Sequence, residues 1–211
     1  MTTTTEPKIP LIRTSDRATF RRCRLRWHFS SALQRNLEPV SDADVNSALW
    51  FGTGIHYALE DYHSLNRYDT PAKAFKTFPD AWIKQTGKEL PEDLPELLEL
   101  GDAMMKYYRV WEKENNPPFK TWQPNGKAQV EVTFSVPYAT DQGEYFEYRG
   151  RFDRVVTDTS GGLWVLDYKT AKRFPSPFTL EIDPQAGAYA WAASQLYGRR
   201  FEGVIFVHLL K

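Results

Sequence analysis

The spacing of apolar residues divides the chain into a mainly helical first part and a second part rich in strands. Between residues 66 and 118, apolar side chains recur every three to four positions, which predicts amphipathic helices. The clearest members of this pattern are Leu94, Leu97, Leu98, Met104, Met105, Tyr108 and Trp111. The sequence Asn115-Asn116-Pro117-Pro118 ends the region, because proline does not continue a helix.

Two helices are predicted before that region. Residues 1–12 are expected to form a flexible tail, and Ser15 is placed to cap a helix that runs to about Leu33. A second helix is expected from near Phe51 through His63. The glycines near its start indicate that another segment approaches its backbone closely.

After the prolines the apolar period changes to two, which is typical of strands. Apolar Val130, Val132, Phe134 and Val136 alternate with polar residues. Two short apolar runs, 149–156 and 163–170, flank a turn centred on Ser160 and predict an antiparallel hairpin.

The end of the chain completes an α/β pattern. Asp183 and Pro184 are placed to start a helix, Gly198 is placed to end it, and an apolar strand follows over residues 203–210. Helices, three strands, a helix and a strand predict an α/β fold with a mixed sheet flanked by helices. We expect one domain over residues 13–211, with residues 66–118 as a helical insertion.

Composition and charge narrow the classes of protein. The chain has 27 basic and 27 acidic residues, so a case for nucleic-acid binding must rest on local patches. Between Lys8 and Arg35 there are eight basic residues and one acid, Asp16. This run is either a binding surface or an ordinary solvated helix face. With no signal peptide and no apolar run of the ~18 residues that span a bilayer, we expect a cytoplasmic protein without a membrane partner.

The predicted hairpin carries the candidate chemistry. Asp153 and Asp167 are equidistant from Ser160, so an antiparallel pairing places the two carboxylates opposite each other. Opposed like charges repel unless a cation lies between them. Lys169 lies on the same face as Asp167. Such a set is suited to hold a divalent cation beside a phosphate, although an isolated pair of this kind is more often a solvated edge.

Four elements in one order carry a family resemblance. They are His56 after a glycine-rich helix start, Asp153, the triplet Asp167-Tyr168-Lys169, and Gln185 followed by Tyr189. This set resembles the PD-(D/E)XK nuclease superfamily in its RecB-like branch, which includes helicase-nuclease subunits and CRISPR-adaptation nucleases. The resemblance covers about residues 13 to 210 and implies a restriction-endonuclease-like core.

The resemblance also implies roles for these residues. Asp153, Asp167 and the backbone carbonyl of Tyr168 would hold Mg²⁺, with Mn²⁺ as an alternative. His56 would be a further ligand or would orient a ligand. Lys169 would position the attacking water or help to deprotonate it, and would offset charge on the scissile phosphate. Gln185 and Tyr189 share a helix face and would hold the phosphate backbone or Lys169.

Other candidates are weaker. Arg151 faces Lys169 if the hairpin register holds and would then contact phosphate. Glu131 is either close to the metal or a solvated position on an alternating strand. Glu60 and His63 share a helix face with His56, which leaves a separate helical metal site as an alternative.

The basic helix supplies candidates for strand binding. Arg17, Arg21 and Arg24 would guide DNA by phosphate contact. Trp27 and Phe29 either stack on bases or pack in the core.

The departures from the resemblance limit what it implies. Many relatives in this branch hold an iron–sulfur cluster with four cysteines, but Cys23 is the only cysteine here, so no cluster is expected. We expect Cys23 to be buried. No phosphate-binding motor loop is present, which favours a standalone exonuclease of recombination, repair or phage DNA processing, or a partner of a helicase or recombinase. The alternatives are a catalytically silent nucleic-acid-binding subunit and an enzyme that acts on RNA.

Overall fold

The computed structural model describes residues 10–31, 34–37, 45–65 and 69–211. Its strands are β1 (Leu11–Arg13), β2 (Phe119–Thr121), β3 (Val130–Ala139), β4 (Tyr145–Asp158), β5 (Leu163–Ala171) and β6 (Gly203–Leu210). Its α-helices are α1 (Thr14–Arg22), α2 (Arg24–Ser30), α3 (Ser47–Glu60), α4 (Pro71–Thr86), α5 (Leu94–Asn115), α6 (Pro177–Glu181) and α7 (Pro184–Tyr197). A π-helix over Asp61–Leu65 continues α3.

The long strand β4 organises the sheet. Strands β3 and β2 pair antiparallel with β4, β1 pairs with it in parallel, and β5 pairs with it antiparallel. Strand β6 extends the sheet by pairing in parallel with β5. The described residues therefore form a mixed six-stranded sheet with helices around it. This confirms the predicted α/β class and is consistent with a restriction-endonuclease-like fold.

One edge of β4 is shared by two strands that do not meet. The pairs with β1 end at Arg149, and the pairs with β5 begin at Arg154. Residues 150–153 therefore have no neighbouring strand on this edge within the described part of the chain. Gly150 lets the start of α1 approach closely here, since a Cβ on it would lie 2.3 Å from Oγ1 of Thr14. The gap opens the sheet beside Asp153.

Side chains from the two faces of the sheet enter two apolar clusters. Val156 and Leu166 join the first, which fills the space under α3, α4 and α5 and includes Trp50, Phe51, Phe75 and Met105. Val155 and Val165 join the second, which includes Phe134, Phe152, Ala192, Ala193 and Phe201 and packs against α7. Because strand neighbours point to opposite faces, the continuous apolar runs of β4 and β5 supply both clusters.

The helical expectations hold with shifted bounds. The second helix begins at Ser47, before Phe51, because the Asn46 side chain accepts a hydrogen bond from the N–H of Leu49 and caps it. Gly54 has the expected close approach, since a Cβ there would lie 2.7 Å from the ring of Phe78. Helices α4 and α5 account for the helical pattern between residues 66 and 118.

The first helix differs from its prediction. It is broken at Cys23, whose backbone is extended, and the Cys23 sulfur accepts a bond from the N–H of Arg26 to start α2. Helix α2 ends at Ser30, and Leu33 lies outside the described residues. Cys23 is exposed, so the expectation of a buried cysteine is wrong. At the break its side chain serves as a helix cap and does not face the core.

Two short strands were not predicted. Leu11 and Ile12, which the sequence placed at the end of a tail, belong to β1 because their backbone pairs with Glu147 and Tyr148 of β4. Strand β2 has three residues as well, too few to show a period of two. None of the described helices has the length and apolar character needed to cross a bilayer.

Candidate active site

The gap in the sheet opens into a cavity of about 810 Å³. Parts of β1, α1, α3, β4, β5 and α7 surround it, and its lining includes His56, Arg151, Asp153, Asp167, Tyr168, Lys169, Gln185 and Tyr189. The fold thus brings into one cavity eight residues that are spread along more than half of the chain. Arg17, Arg21 and Arg24 are not part of this lining.

The hairpin has the predicted register. The pairs run from Arg154 with Leu166 to Thr157 with Leu163, so they are centred on Ser160. The last pair of the ladder, Arg154 with Leu166, lies one position closer to the turn than Asp153 and Asp167. There, Oδ2 of Asp153 accepts a hydrogen bond of 2.7 Å from the backbone N–H of Tyr168. The Asp153 side chain thus takes the place of a backbone partner and is fixed against β5.

Both aspartates of the hairpin are buried, with 8% of Asp153 and 2% of Asp167 exposed. Burial raises the pKa of Asp167 and the charge of Asp153 raises it further, while Lys169 opposes both, giving a pKa of about 6. Oδ2 of Asp167 lies 2.7 Å from Nζ of Lys169 but in poor geometry for a hydrogen bond. The Asp167 carboxylate is therefore held by the Lys169 ammonium at Oδ2 and by the Gln185 amide at Oδ1.

Gln185 links the hairpin to α7. Its Nε2 donates to Oδ1 of Asp167 at 3.2 Å, and its Oε1 accepts from Nζ of Lys169 at 3.1 Å. Asp183 caps α7 as predicted, by accepting a bond from the N–H of Gln185, and so holds the glutamine at the start of the helix. The amide therefore fixes the relative position of the carboxylate and the ammonium.

Tyr189 lies one turn beyond Gln185 and is 6% exposed. Its ring packs against Phe134 and Phe152, with centroid distances of 6.1 and 5.3 Å. Burial raises the pKa of the Tyr189 phenol, and the hydrogen bond with Gln185 opposes that shift. Tyr189 is therefore both a core residue and part of the cavity wall.

His56 faces two carboxylates. Its Nδ1 lies 3.4 Å from Oδ1 of Asp153 and 3.5 Å from Oε1 of Glu131. Burial disfavours the imidazolium, but the hydrogen bonds and charges of both carboxylates outweigh it and raise the pKa of His56 to about 10. One potential ligand atom from each of the three residues lies within 4.8 Å of the others. Two oxygens and one imidazole nitrogen form a donor set that suits Mg²⁺ or Mn²⁺.

Glu131 is a member of this cluster and is not a solvated strand position. Its side chain is 9% exposed, and Oε2 lies 2.6 Å from Nε of Arg151. Its φ of +50° interrupts the pairing between β3 and β4 opposite Asp153. A residue other than glycine in this region costs on the order of 1 to 3 kcal/mol, and such strain concentrates at functional sites. Sequence alternation alone does not show the turned backbone that directs Glu131 inward.

The described residues do not form the alternative helical metal site. Among the described residues, His56 clusters with Glu131 and Asp153, and Glu60 is not in that group. The π-helix after Glu60 turns His63 toward the hydroxyl of Tyr108, at 2.9 Å. Burial and the charge of Arg154 hold the pKa of His63 well below its usual range, so it is neutral.

The predicted strand-binding arginines occupy different places. Arg17 and Arg21 line a second cavity of about 770 Å³ together with Arg22. Arg24 follows the break at Cys23, and its guanidinium lies 5.4 Å from the centre of the Phe20 ring. Arg151 is held by Glu131, as described above.

Sequence reasoning missed a buried polar cluster on the opposite face of the hairpin. Arg154 is 4% exposed and donates to Oγ1 of Thr121 at 2.8 Å and to the hydroxyl of Tyr168 at 3.2 Å. That hydroxyl lies 3.1 Å from the hydroxyl of Tyr108. The only sequence signal for this cluster is a charged residue within an apolar strand, next to Asp153.

Comparison with known proteins identifies the family. The family model described as the PD-(D/E)XK nuclease superfamily matches residues 14–209. The chain therefore belongs to the PD-(D/E)XK nuclease superfamily, and the superfamily prediction is confirmed. Its placement in the RecB-like branch stays a prediction.

Other comparisons add less. No curated protein matches the chain. Among solved structures, it is similar to one titled "Crystal structure of SSO0001", with 14% sequence identity and a TM-score of 0.31. The similarity covers 83% of this chain and 66% of that chain, and it carries no functional argument.

Proposed function

We propose that this protein is a metal-dependent DNA nuclease that hydrolyses phosphodiester bonds, and that it acts as an exonuclease. The observation that carries the proposal is the pair of buried carboxylates, Asp153 and Asp167, beside Lys169 in an open cavity. A protein that only bound nucleic acid would gain nothing from buried carboxylates next to the phosphate, because they would repel it.

Asp153, Asp167, His56 and Glu131 are the residues we assign to a divalent ion, Mg²⁺ or Mn²⁺. The backbone carbonyl of Tyr168 joins this set, because the N–H and C=O of a strand residue point to the same side and its N–H points to Asp153. When bound, such an ion supplies positive charge to the phosphate and acidifies a water. The cluster of His56, Glu131 and Asp153 supports this assignment, and Asp167 lines the same cavity as His56 and Asp153.

Lys169 and Gln185 serve the reacting phosphate. The Lys169 side chain is 38% exposed, and its ammonium is held by Asp167 and Gln185, so its charge can offset the charge that develops on the phosphate. Gln185 sets the orientation of both neighbours. Tyr189 supports Gln185 from the next turn of α7 and closes the cavity wall.

The cellular role rests on the resemblance in the sequence. We propose one nuclease domain over residues 13–211, in the RecB-like branch, that works without an iron–sulfur cluster in DNA recombination, repair or phage DNA processing. A helicase or recombinase is the proposed partner. A cytoplasmic location stays a prediction from the sequence. The second candidate is a catalytically silent DNA-binding subunit, which the basic lining from Arg17, Arg21 and Arg22 also suits.

The test is cleavage of end-labelled linear single-stranded and duplex DNA with Mg²⁺ or Mn²⁺, beside a closed circular DNA. We expect metal-dependent loss of the linear DNA with the circle spared, and no loss with Asp167→Ala or Lys169→Ala. Binding without cleavage by the wild type under either metal would favour the silent subunit. Cleavage of the circle would contradict the exonuclease assignment.

A further inference from the structure

The cavity of the candidate active site adjoins two others in series. The second cavity, of about 770 Å³, shares Thr14, Ser15, Gln185 and Tyr189 with it. A third cavity, of about 440 Å³, shares Arg17 and Tyr148 with the second. Because neighbouring cavities have walls in common, they form a path beside α7 that leads away from Lys169.

The chemistry of the lining changes along this path. The second cavity is basic, with Arg17, Arg21 and Arg22 from α1 against one acid, Asp183. The third cavity is aromatic and is lined by Ile12, Arg17, Tyr138, Phe146, Tyr148, Ala188 and Trp191. The path therefore runs from carboxylates and lysine through arginines to aromatic rings.

The rings of the third cavity are arranged as a platform. Tyr138 and Phe146 stack with a centroid distance of 5.7 Å and an angle of 17°. Trp191 meets Tyr138 edge to face at 5.6 Å. Tyr138 is 45% exposed, so one large ring is open to an incoming planar group.

Tyr148 lies where the basic and aromatic cavities meet, and its hydroxyl could still form a hydrogen bond. Only 7% of the residue is exposed, and the hydroxyl is buried without a hydrogen-bond partner among the described residues. An unsatisfied buried hydroxyl is costly, which is why nearly all such groups have partners. With Arg17 on the same walls, an anionic oxygen is the partner that fits it.

We propose that the three cavities form a binding tract for single-stranded DNA. Backbone phosphates lie against Arg17, Arg21 and Arg22 and accept a bond from the hydroxyl of Tyr148, while a base stacks on Tyr138 beside Trp191. A charged groove with interleaved aromatic rings is the arrangement by which proteins bind single strands. A duplex does not suit the third cavity, because its bases are already paired and stacked. This proposal rests on the proposed function and extends it to a substrate class.

The tract does not include the stacking residues suggested by the sequence. Trp27 packs edge to face on Phe20, with centroids 5.1 Å apart. Neither Trp27 nor Phe29 lines any of the three cavities. The break at Cys23 separates α2 from the part of the basic segment that lines the tract.

The test is equilibrium binding of a fluorescein-labelled oligothymidylate of about twelve nucleotides, in buffer with chelator so that no cleavage occurs. A second probe has the same length but lacks its bases. The variants are Tyr138→Ala, at an exposed ring, and Tyr148→Phe, which removes only the hydroxyl. Tyr107→Ala on α5 is the matched control, since Tyr107 is 72% exposed and outside the tract.

Each variant has a distinct expected result. Tyr138→Ala should raise the Kd for oligothymidylate by about 5- to 100-fold, the worth of one stacked base, and leave the Kd for the abasic probe unchanged. Tyr148→Phe should raise both Kd values several-fold, because the phosphate loses a hydrogen bond. The Tm should stay the same or increase, because the hydroxyl has no partner among the described residues. A hydroxyl with only a structural role would leave both Kd values unchanged. Tyr107→Ala should bind both probes like the wild type.

The same proteins separate this proposal from the proposed function. If the wild type cuts DNA with metal but Tyr138→Ala and Tyr148→Phe bind both probes normally, the tract is overturned and the nuclease stands. If the variants bind weakly as expected but the wild type never cuts, the tract stands and the nuclease is overturned. No binding of either probe by the wild type overturns the tract.

Discussion

The two faces of the β4–β5 hairpin carry polar clusters of opposite character. On one face, Asp153 and Asp167 line an open cavity, and Glu131 clusters with Asp153 and His56. On the other face, Arg154 is enclosed by the hydroxyls of Thr121 and Tyr168 and by neutral His63. The three carboxylates of the first cluster face Lys169, Arg151 and His56 beside an open cavity, whereas the second cluster is enclosed around Arg154, which is 4% exposed.

This difference separates groups held for an external partner from groups that stabilise the fold. Asp153 and Arg154 are adjacent in sequence, yet strand geometry sends them to opposite faces. The Arg154 cluster positions the side chain of Tyr168, and the backbone of Tyr168 holds Asp153. Substitutions on the cavity face should therefore remove activity with little loss of stability, and those on the other face should do the reverse.

The largest expected effect is that of Asp153→Asn on the cavity face. The amide oxygen can still accept the N–H of Tyr168, so the fold should persist, but the charge that binds the cation is lost. We expect DNA cleavage to fall by about 10³-fold or more. Initial rates on labelled linear DNA measure this, with Asp141→Asn in the exposed turn before β4 as the control. An Asp153→Asn protein with a tenth or more of wild-type activity would show that this face is not catalytic.

Arg154→Met on the opposite face should mainly affect stability. It leaves Thr121, Tyr168 and His63 without their shared donor, so we expect the free energy of unfolding to fall by about 2 to 4 kcal/mol. Urea unfolding followed by circular dichroism measures it. The control is Arg149→Met, an arginine 51% exposed on the same strand, whose surface ion pair with Glu147 is worth about 0 to 1 kcal/mol. Equal losses for the two variants would mean that the buried cluster does not stabilise the fold.

The two faces of the hairpin also differ in how much of their structure could be predicted from the sequence. The register around Ser160 followed from the turn and from two apolar runs, and it placed Asp153, Asp167 and Lys169 correctly on one face. The place of Gln185 at the start of α7 followed from the capping sequence, whereas its role was implied by the family resemblance. These are local patterns, in which neighbours along the chain determine the geometry.

The rest depended on contacts between distant segments. Glu131 enters the cluster through a left-handed backbone that alternation cannot show. Arg154 pairs with groups from β2, from the π-helix and from β5, which are far apart in sequence. Strand β1 has three residues and exists only because β4 offers it an edge. Short elements and buried networks of this kind have no periodic signal.

A third prediction concerns Glu131 on the cavity face. Glu131→Gln keeps the shape of the side chain and removes one charge from the His56–Glu131–Asp153 cluster. We expect Mn²⁺ to bind about 10-fold or more weakly, with a smaller effect on cleavage at saturating metal. Calorimetric titration of the protein with Mn²⁺ measures this directly. Glu144→Gln, in an exposed turn, is the control. Unchanged Mn²⁺ affinity in Glu131→Gln would assign Glu131 to holding Arg151 alone.

The smallest effect is expected from Tyr168→Phe, which tests how the two faces are connected. The variant keeps the backbone N–H that holds Asp153 and removes only the hydroxyl that contacts Arg154 and Tyr108. Loss of one hydroxyl from a matched cluster should cost about 1 kcal/mol, or roughly 2 to 4 °C in Tm for a chain of this size. Tyr107→Phe, at an exposed phenol, should not change the Tm. If Tyr168→Phe also weakened Mn²⁺ binding 10-fold, the Arg154 cluster would be positioning Asp153 through Tyr168, and the two faces would have to be treated as one functional unit.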